Sequence, residues 1–229
     1  MKRNIWDLHC DVLSKMILGE DIDFENDPGL DVTAERLHAG GVRLQAFAIY
    51  IPDRWRGRPF DAVLASIDAF HRKIASRGDV LPLYTRNDLE KLMSRGDQRI
   101  GAMLTLEGAE GLEGDLVYLR TVWRLGVRTL GLTWNHANWA ADGVLEPRGG
   151  GLTAKGRELV AECNRLGMVL DVSHLAERGF WELLERSSDA PIASHSNAKA
   201  LCSHPRNLTD DQIRALIAAG GCMGITFVP

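Results

Sequence analysis

GLTAKGRELVAECNRLGMVLDVSH, residues 151–174, reads as an amphipathic helix delivered straight into a strand. Thr153 stands where an N-cap belongs, with its side-chain oxygen available to an orphan N–H of the first turn. Gly167 stands where the left-handed residue closing a helix belongs. The run GMVLDVSH that follows (167–174) is nearly continuous in apolar residues, the pattern of a strand covered on both faces. The same alternation extends in both directions. Apolar runs occur at 5–12 (IWDLHCDV), 41–51, 100–108, 126–135, 190–196 and 220–229, which with 167–174 makes seven strands. Helix-like stretches lie between most of them, such as DAVLASIDAFHRKIASRG (61–78) and LTDDQIRALIAAGG (208–221), the latter with Thr209 as N-cap.

Strands alternating with helices predict a parallel α/β sheet, either open and doubly wound or closed as a (β/α)8 barrel. Neither G-x-G-x-x-G nor G-x-x-x-x-G-K-[ST] occurs, so the phosphate-gripping loop that would favour the open sheet is missing. Polar residues collect instead at the C-terminal tips of several strands, as a barrel active site requires. The expectation is a single TIM-type (β/α)8 barrel domain over residues 1–229. The barrel ends after strand 7, with its eighth unit absent from the chain.

The composition is ordinary for a soluble globular protein: 229 residues, 45% hydrophobic and 25% charged. A net charge of −4 lacks the basic footprint of nucleic-acid binding. No run approaches the length of a membrane span, and MKRNIWDLHCDV has no apolar signal core. Cysteines 10, 163, 202 and 222 form no C-x-x-C pair and fit reduced thiols in a cytoplasmic protein.

The strand tips carry His9 and Asp11, then Glu107, then Asn135 and His136, then His174, then His195. On an extended strand His9 and Asp11 face the same side, with Cys10 turned away. Each residue alone has an ordinary reading: a solvated carboxylate at Glu107, a helix-start neighbour at His174, a buried packing histidine at His195. Metal-type ligands at the same relative position on four strands are harder to attribute to chance. Imidazole and carboxylate are the ligands of catalytic zinc. Five such ligands suit two divalent ions better than one, with His9 and Asp11 on one, His174 and His195 on the other, and Glu107 bridging. His38 and His71 fall in helical stretches and His204 in a loop, away from the tips.

DLHCD (7–11), TLEG (105–108), the 151–174 stretch and PIASHSNAKALCSHPRNLTDDQI (191–213) resemble the renal or membrane dipeptidase family, peptidase family M19, in its bacterial cytosolic form. The resemblance runs through nearly the whole chain and is most specific in the 21-residue interval from His174 to His195, with Arg206 eleven residues on. It implies a zinc-dependent dipeptidase with His9, Asp11, Glu107, His174 and His195 as ligands of two Zn²⁺ ions. It also implies Arg206 as the grip on a substrate carboxylate, a role suited to a planar guanidinium. Mammalian-type members carry a histidine after Leu-Thr on strand 4. Here Trp134 takes that place, and His136, two residues on, is the candidate replacement for binding substrate. The family's acid/base aspartate lies in a motif on strand 8 and is expected beyond residue 229.

The expected reaction is hydrolysis of a dipeptide amide by a metal-bridging hydroxide, in a truncated chain with reduced activity. Two alternatives stand beside it. One is another binuclear amidohydrolase, disfavoured because Asp11 replaces the second histidine of H-x-H and no lysine lies near 130–140. The other is a catalytically inactive metal-binding relative. The partners expected are a small dipeptide and a second copy of the chain, with no nucleic acid and no membrane.

Overall fold

The computed structural model of the protein describes residues 4–19 and 22–227. Its strands form one parallel path, and the described residues fall in two compact units, those within 1–105 together with 124–128 and those within 106–123 together with 129–229.

The first unit opens with β1 (Ile5–Asp7), α1 (Val12–Leu18), α2 (Ala34–Gly40) and β2 (Val42–Ile49). Next come α3 (Pro59–Ala69), which widens into a π-helical segment (Phe70–Ala75), then β3 (Val80–Pro82), α4 (Arg86–Met93) and β4 (Ile100–Glu107). β1 pairs in parallel with β2, and β3 with the start of β4. β2 is buried from Leu44 to Ile49, as a strand covered on both faces must be. Phe47 anchors that burial. Its ring meets Phe24 edge-on at 5.6 Å and Phe70, the first residue of the π-segment, at 5.8 Å. A second cluster, Leu44, Leu83 and Leu92, is joined by Leu8, Leu81, Leu89 and Met103.

The second unit takes the end of β4, α5 (Leu116–Arg124) except its last residue, and β5 (Val127–Gly131) from Thr129 on. It continues with α6 (Ala154–Leu166), β6 (Val169–Asp171), α7 (Glu177–Arg186), β7 (Ile192–Ser196), α8 (Asp210–Ala218) and β8 (Cys222–Ile225). β5–β6, β6–β7 and β7–β8 are all parallel. The caps of α6 are those its sequence predicts: Thr153 accepts from Gly156 N, and Gly167 closes the helix at φ 67°. Gly156 is required for packing, since a Cβ there would clash with the Ala140 carbonyl oxygen. Thr209 caps α8 in a reciprocal box with Gln212. Thr209→Ala is expected to cost about 1 kcal/mol of stability, read as a lowered urea midpoint with an unchanged slope.

The strand path runs β1-β2-β4-β5-β6-β7-β8, with β3 paired to β4 off the path. All seven apolar runs become strands of this path. β3 is an addition that the sequence reading lacks. It is three residues long and ends in Pro82, so it has no length over which a period could show. Among the described residues, no helix is long and apolar enough to cross a membrane.

Candidate metal centre

In the first unit, β1 stops at Asp7, so His9 and Asp11 do not share the face of a strand as the sequence suggested. The Asp7 carboxylate accepts from the His9 backbone N–H at 3.1 Å and turns the chain out of the sheet. Asp11 then takes the N-cap position of α1 with a non-extended backbone (φ −94°, ψ 19°). The turn, rather than strand alternation, brings His9 Nε2 within 3.5 Å of Asp11 Oδ1. Cys10 is buried between them, and desolvation pushes its thiol well above the usual range. It is a packing residue, not a nucleophile.

In the second unit, three donor atoms converge. Glu107, the last residue of β4, is buried and places Oε1 3.0 Å from His174 Nε2 and 3.5 Å from His195 Nε2. The two Nε2 atoms are themselves 2.9 Å apart. Ligands held by one ion at bond lengths of about 2.0–2.1 Å lie about 2.9–3.4 Å from each other. The spacing of this trio therefore suits a shared cation. His174 follows β6 by three residues and adopts φ 66°, a left-handed backbone uncommon outside glycine. That conformation aims its ring at Glu107 and His195.

The environment sets the form of the His174 imidazole. Burial pushes His174 down to about 4, against the opposing pull of the Glu107 carboxylate, so its ring is neutral at pH 7. His174 Nδ1 meets Asn135 Oδ1 at 2.7 Å. His195 Nδ1 meets Ser194 Oγ at 2.7 Å, and Ser194 Oγ in turn meets Asp171 Oδ2. Arg206 lies behind the cluster, donating from Nη2 to the His195 carbonyl at 2.8 Å and from Nη1 to Ser196 Oγ at 3.5 Å. These contacts use two of its five N–H donors. Desolvation lowers the Arg206 pKa while Asp171 and Glu107 oppose the shift. A cavity of about 180 Å³ bordered by His174, Val172, Lys199 and Arg206 adjoins the trio.

The segment after β5 departs from the expectation for His136. It bends at 134–136 instead of running extended, and it leaves His136 exposed. The neighbours that reach His174 are Asn135 and Trp134, whose ring centroid lies 6.2 Å from the imidazole. His38 binds Asp79 at 2.9 Å and His71 meets the Leu125 carbonyl at 3.0 Å, consistent with helical positions away from the strand tips. The sequence reading also passed over Asp171 and Ser194. The one available signal was a carboxylate embedded in an apolar strand, MVLDVSH, where burial demands a partner.

A carboxylate and two imidazoles gathered at the strand tips of a parallel β/α path are the donor types that divalent-metal centres in TIM-type barrels use. Residues 1–229 match the model of membrane dipeptidase, peptidase family M19, and the chain belongs to that family. It is 31% identical over 215 residues to Dipeptidase 3 of Rattus norvegicus, covering 90% of this chain and 43% of that one. The structure of dipeptidase AC, a metallopeptidase of family M19, superposes with a TM-score of 0.88 at 29% identity, over 99% of this chain and 73% of that one. A metallopeptidase from Rhodobacter sphaeroides, liganded with a phosphinate mimic of the dipeptide L-Ala-D-Ala, gives 0.86 at 28% identity, over 98% and 74%. The fold is thus the TIM-type barrel of these metallopeptidases, with seven strands on its path. The chain spans about half the length of the curated relatives it matches, from 43% to 65% for the first three.

Proposed function

We propose that residues 1–229 form one catalytic domain that hydrolyses dipeptides with two divalent metal ions, zinc in the resting protein. The observation that carries this reading is the approach of Glu107 Oε1, His174 Nε2 and His195 Nε2 within 3.5 Å of one another, in a chain of the M19 family. His174, His195 and Glu107 would hold one ion. His9 and Asp11, 3.5 Å apart in the turn after β1, would hold the other. When bound, such ions lower the pKa of water toward neutrality and polarise a carbonyl.

The chain's own residues supply the rest. Burial keeps His174 neutral, so its lone pair is available at physiological pH. Arg206, anchored to the His195 carbonyl, presents its remaining N–H donors to the C-terminal carboxylate of a dipeptide. That pairing orients the scissile amide, whose correct placement is itself a large part of catalysis. His136, on the exposed bend after β5, would meet the substrate from solvent. The ligand of the Rhodobacter relative supports a dipeptide as the substrate class. Four free cysteines, two of them exposed, suit a reducing cytoplasm.

The test is turnover of a dipeptide panel that includes L-Ala-D-Ala, with metal content measured on the same sample. Hydrolysis that disappears on chelation and returns with zinc is expected. Stoichiometric metal without turnover of any dipeptide would overturn the catalytic reading and leave a metal-binding protein.

A further inference from the structure

The geometry points to Asp171 as a positioning residue that fixes which nitrogen of His195 carries the proton, acting through the Ser194 hydroxyl. The inference rests on the reading of His195 as a metal ligand and extends it to the shell behind that ligand.

Asp171 closes β6 and is buried, yet it makes no ion pair with a described residue at hydrogen-bonding range. Its carboxylate is instead surrounded by donors from β7 and from the turn after β6. Oδ1 accepts from Ser173 N at 2.9 Å and from Ser194 N at 3.0 Å, and Oδ2 accepts from Ser194 Oγ. An ionised carboxylate can only accept, and a serine hydroxyl has one proton to give. The Ser194 proton is therefore committed to Asp171. What Ser194 Oγ offers to His195 Nδ1, 2.7 Å away, is a lone pair. Nδ1 must then donate, so in the neutral ring Nε2 is unprotonated. Ser173 strengthens the frame, since its Oγ lies 3.3 Å from Ser194 Oγ and accepts from His195 N at 3.2 Å.

The partner imidazole is set the same way by a different device. Asn135 Oδ1, 2.7 Å from His174 Nδ1, accepts the proton there and leaves His174 Nε2 bare. Two lone pairs 2.9 Å apart then face each other beside the Glu107 carboxylate. Both nitrogens are then in the form that a cation binds. The Asp171–Ser194 relay thus does more than hold a ring in place. It prevents the His174–His195 contact from satisfying itself with an internal hydrogen bond.

The proposal is tested by long-range ¹H–¹⁵N NMR on the 229-residue protein after chelation, at pH 8, above the ordinary imidazole range. The wild-type His195 ring is expected in the Nδ1–H form. Asp171→Asn frees the Ser194 proton to point at Nδ1 and should move the ring proton to Nε2. Ser194→Ala, which removes one buried hydroxyl, should give a mixture of both forms, and Ser194→Thr should restore Nδ1–H. Zinc affinity by chelator competition should fall about 10- to 100-fold in Asp171→Asn and Ser194→Ala, and recover in Ser194→Thr. A wild-type ring carrying its proton on Nε2 overturns the proposal, whether or not the variants fold. Retention of pure Nδ1–H in both disruptive variants overturns it as well. A wild-type protein that binds no zinc yet shows Nδ1–H and the predicted shifts would refute the metal reading alone.

Discussion

Glu107→Gln is expected to lower dipeptide turnover by about 10²- to 10³-fold, the scale of removing a group that meets developing charge, and to strip metal from the protein. The substitution keeps the side-chain volume at the end of β4, where Glu107 is buried with only 8% of its surface exposed. It removes the charge that makes the oxygen a strong ligand. It also converts a carboxylate that can only accept into an amide that can donate to an imidazole Nε2. The metal-free variant should therefore melt close to the metal-free parent, since the amide keeps the shape of the carboxylate and can donate to an imidazole Nε2. Turnover and metal content are measured together with a thermal melt of both chelated proteins. Undiminished hydrolysis by Glu107→Gln would remove this residue from the centre. A collapsed melt would instead make it a packing residue.

The second large effect concerns recognition. Arg206→Ala should reduce kcat/KM for dipeptides by about 10²- to 10⁴-fold, since it removes two charge-assisted hydrogen bonds to the carboxylate at about 1.5–3 kcal/mol each. A loss of that size could also come from disturbing His195, because Arg206 Nη2 holds the His195 carbonyl at 2.8 Å. The C-terminal amide of the same dipeptide separates the two causes. If Arg206 grips the carboxylate, the amide is already a poor substrate and the variant treats both alike. If Arg206 only braces β7, the variant loses the same factor on both substrates. Arg206→Lys keeps the charge without the planar fork, and should recover part of the loss on the dipeptide.

Much of the fold was legible because local rules carried it. The caps of α6 and α8 and the seven strands of the path follow from N-cap chemistry, a terminal glycine and near-continuous apolar runs. β3 was illegible because a three-residue strand ending in proline has no periodicity. The trio Glu107, His174 and His195 was visible as residue types at strand tips, although nothing in the sequence shows that His174 turns left-handed to reach it. His9 and Asp11 were found by an argument that fails. They approach through a turn stabilised by Asp7, because β1 ends five residues earlier than its apolar run. Asp171 and Ser194 were missed for a general reason. Their partners are backbone N–H groups and each other across two strands, and such pairing leaves no periodic trace in one dimension.

His174 is one of two non-glycine residues with a left-handed backbone among those described, the other being Glu113. For an L-residue that conformation costs about 1–2 kcal/mol, and asparagine or glycine would relieve it. Selection for heat resistance and selection for chemistry therefore oppose each other at position 174. Laboratory evolution scored on thermal survival alone would drift toward the residues that ease the backbone, and the site would be lost without any visible change in the fold. Consensus design would avoid that trap only if its parent sequences had been kept under selection for turnover.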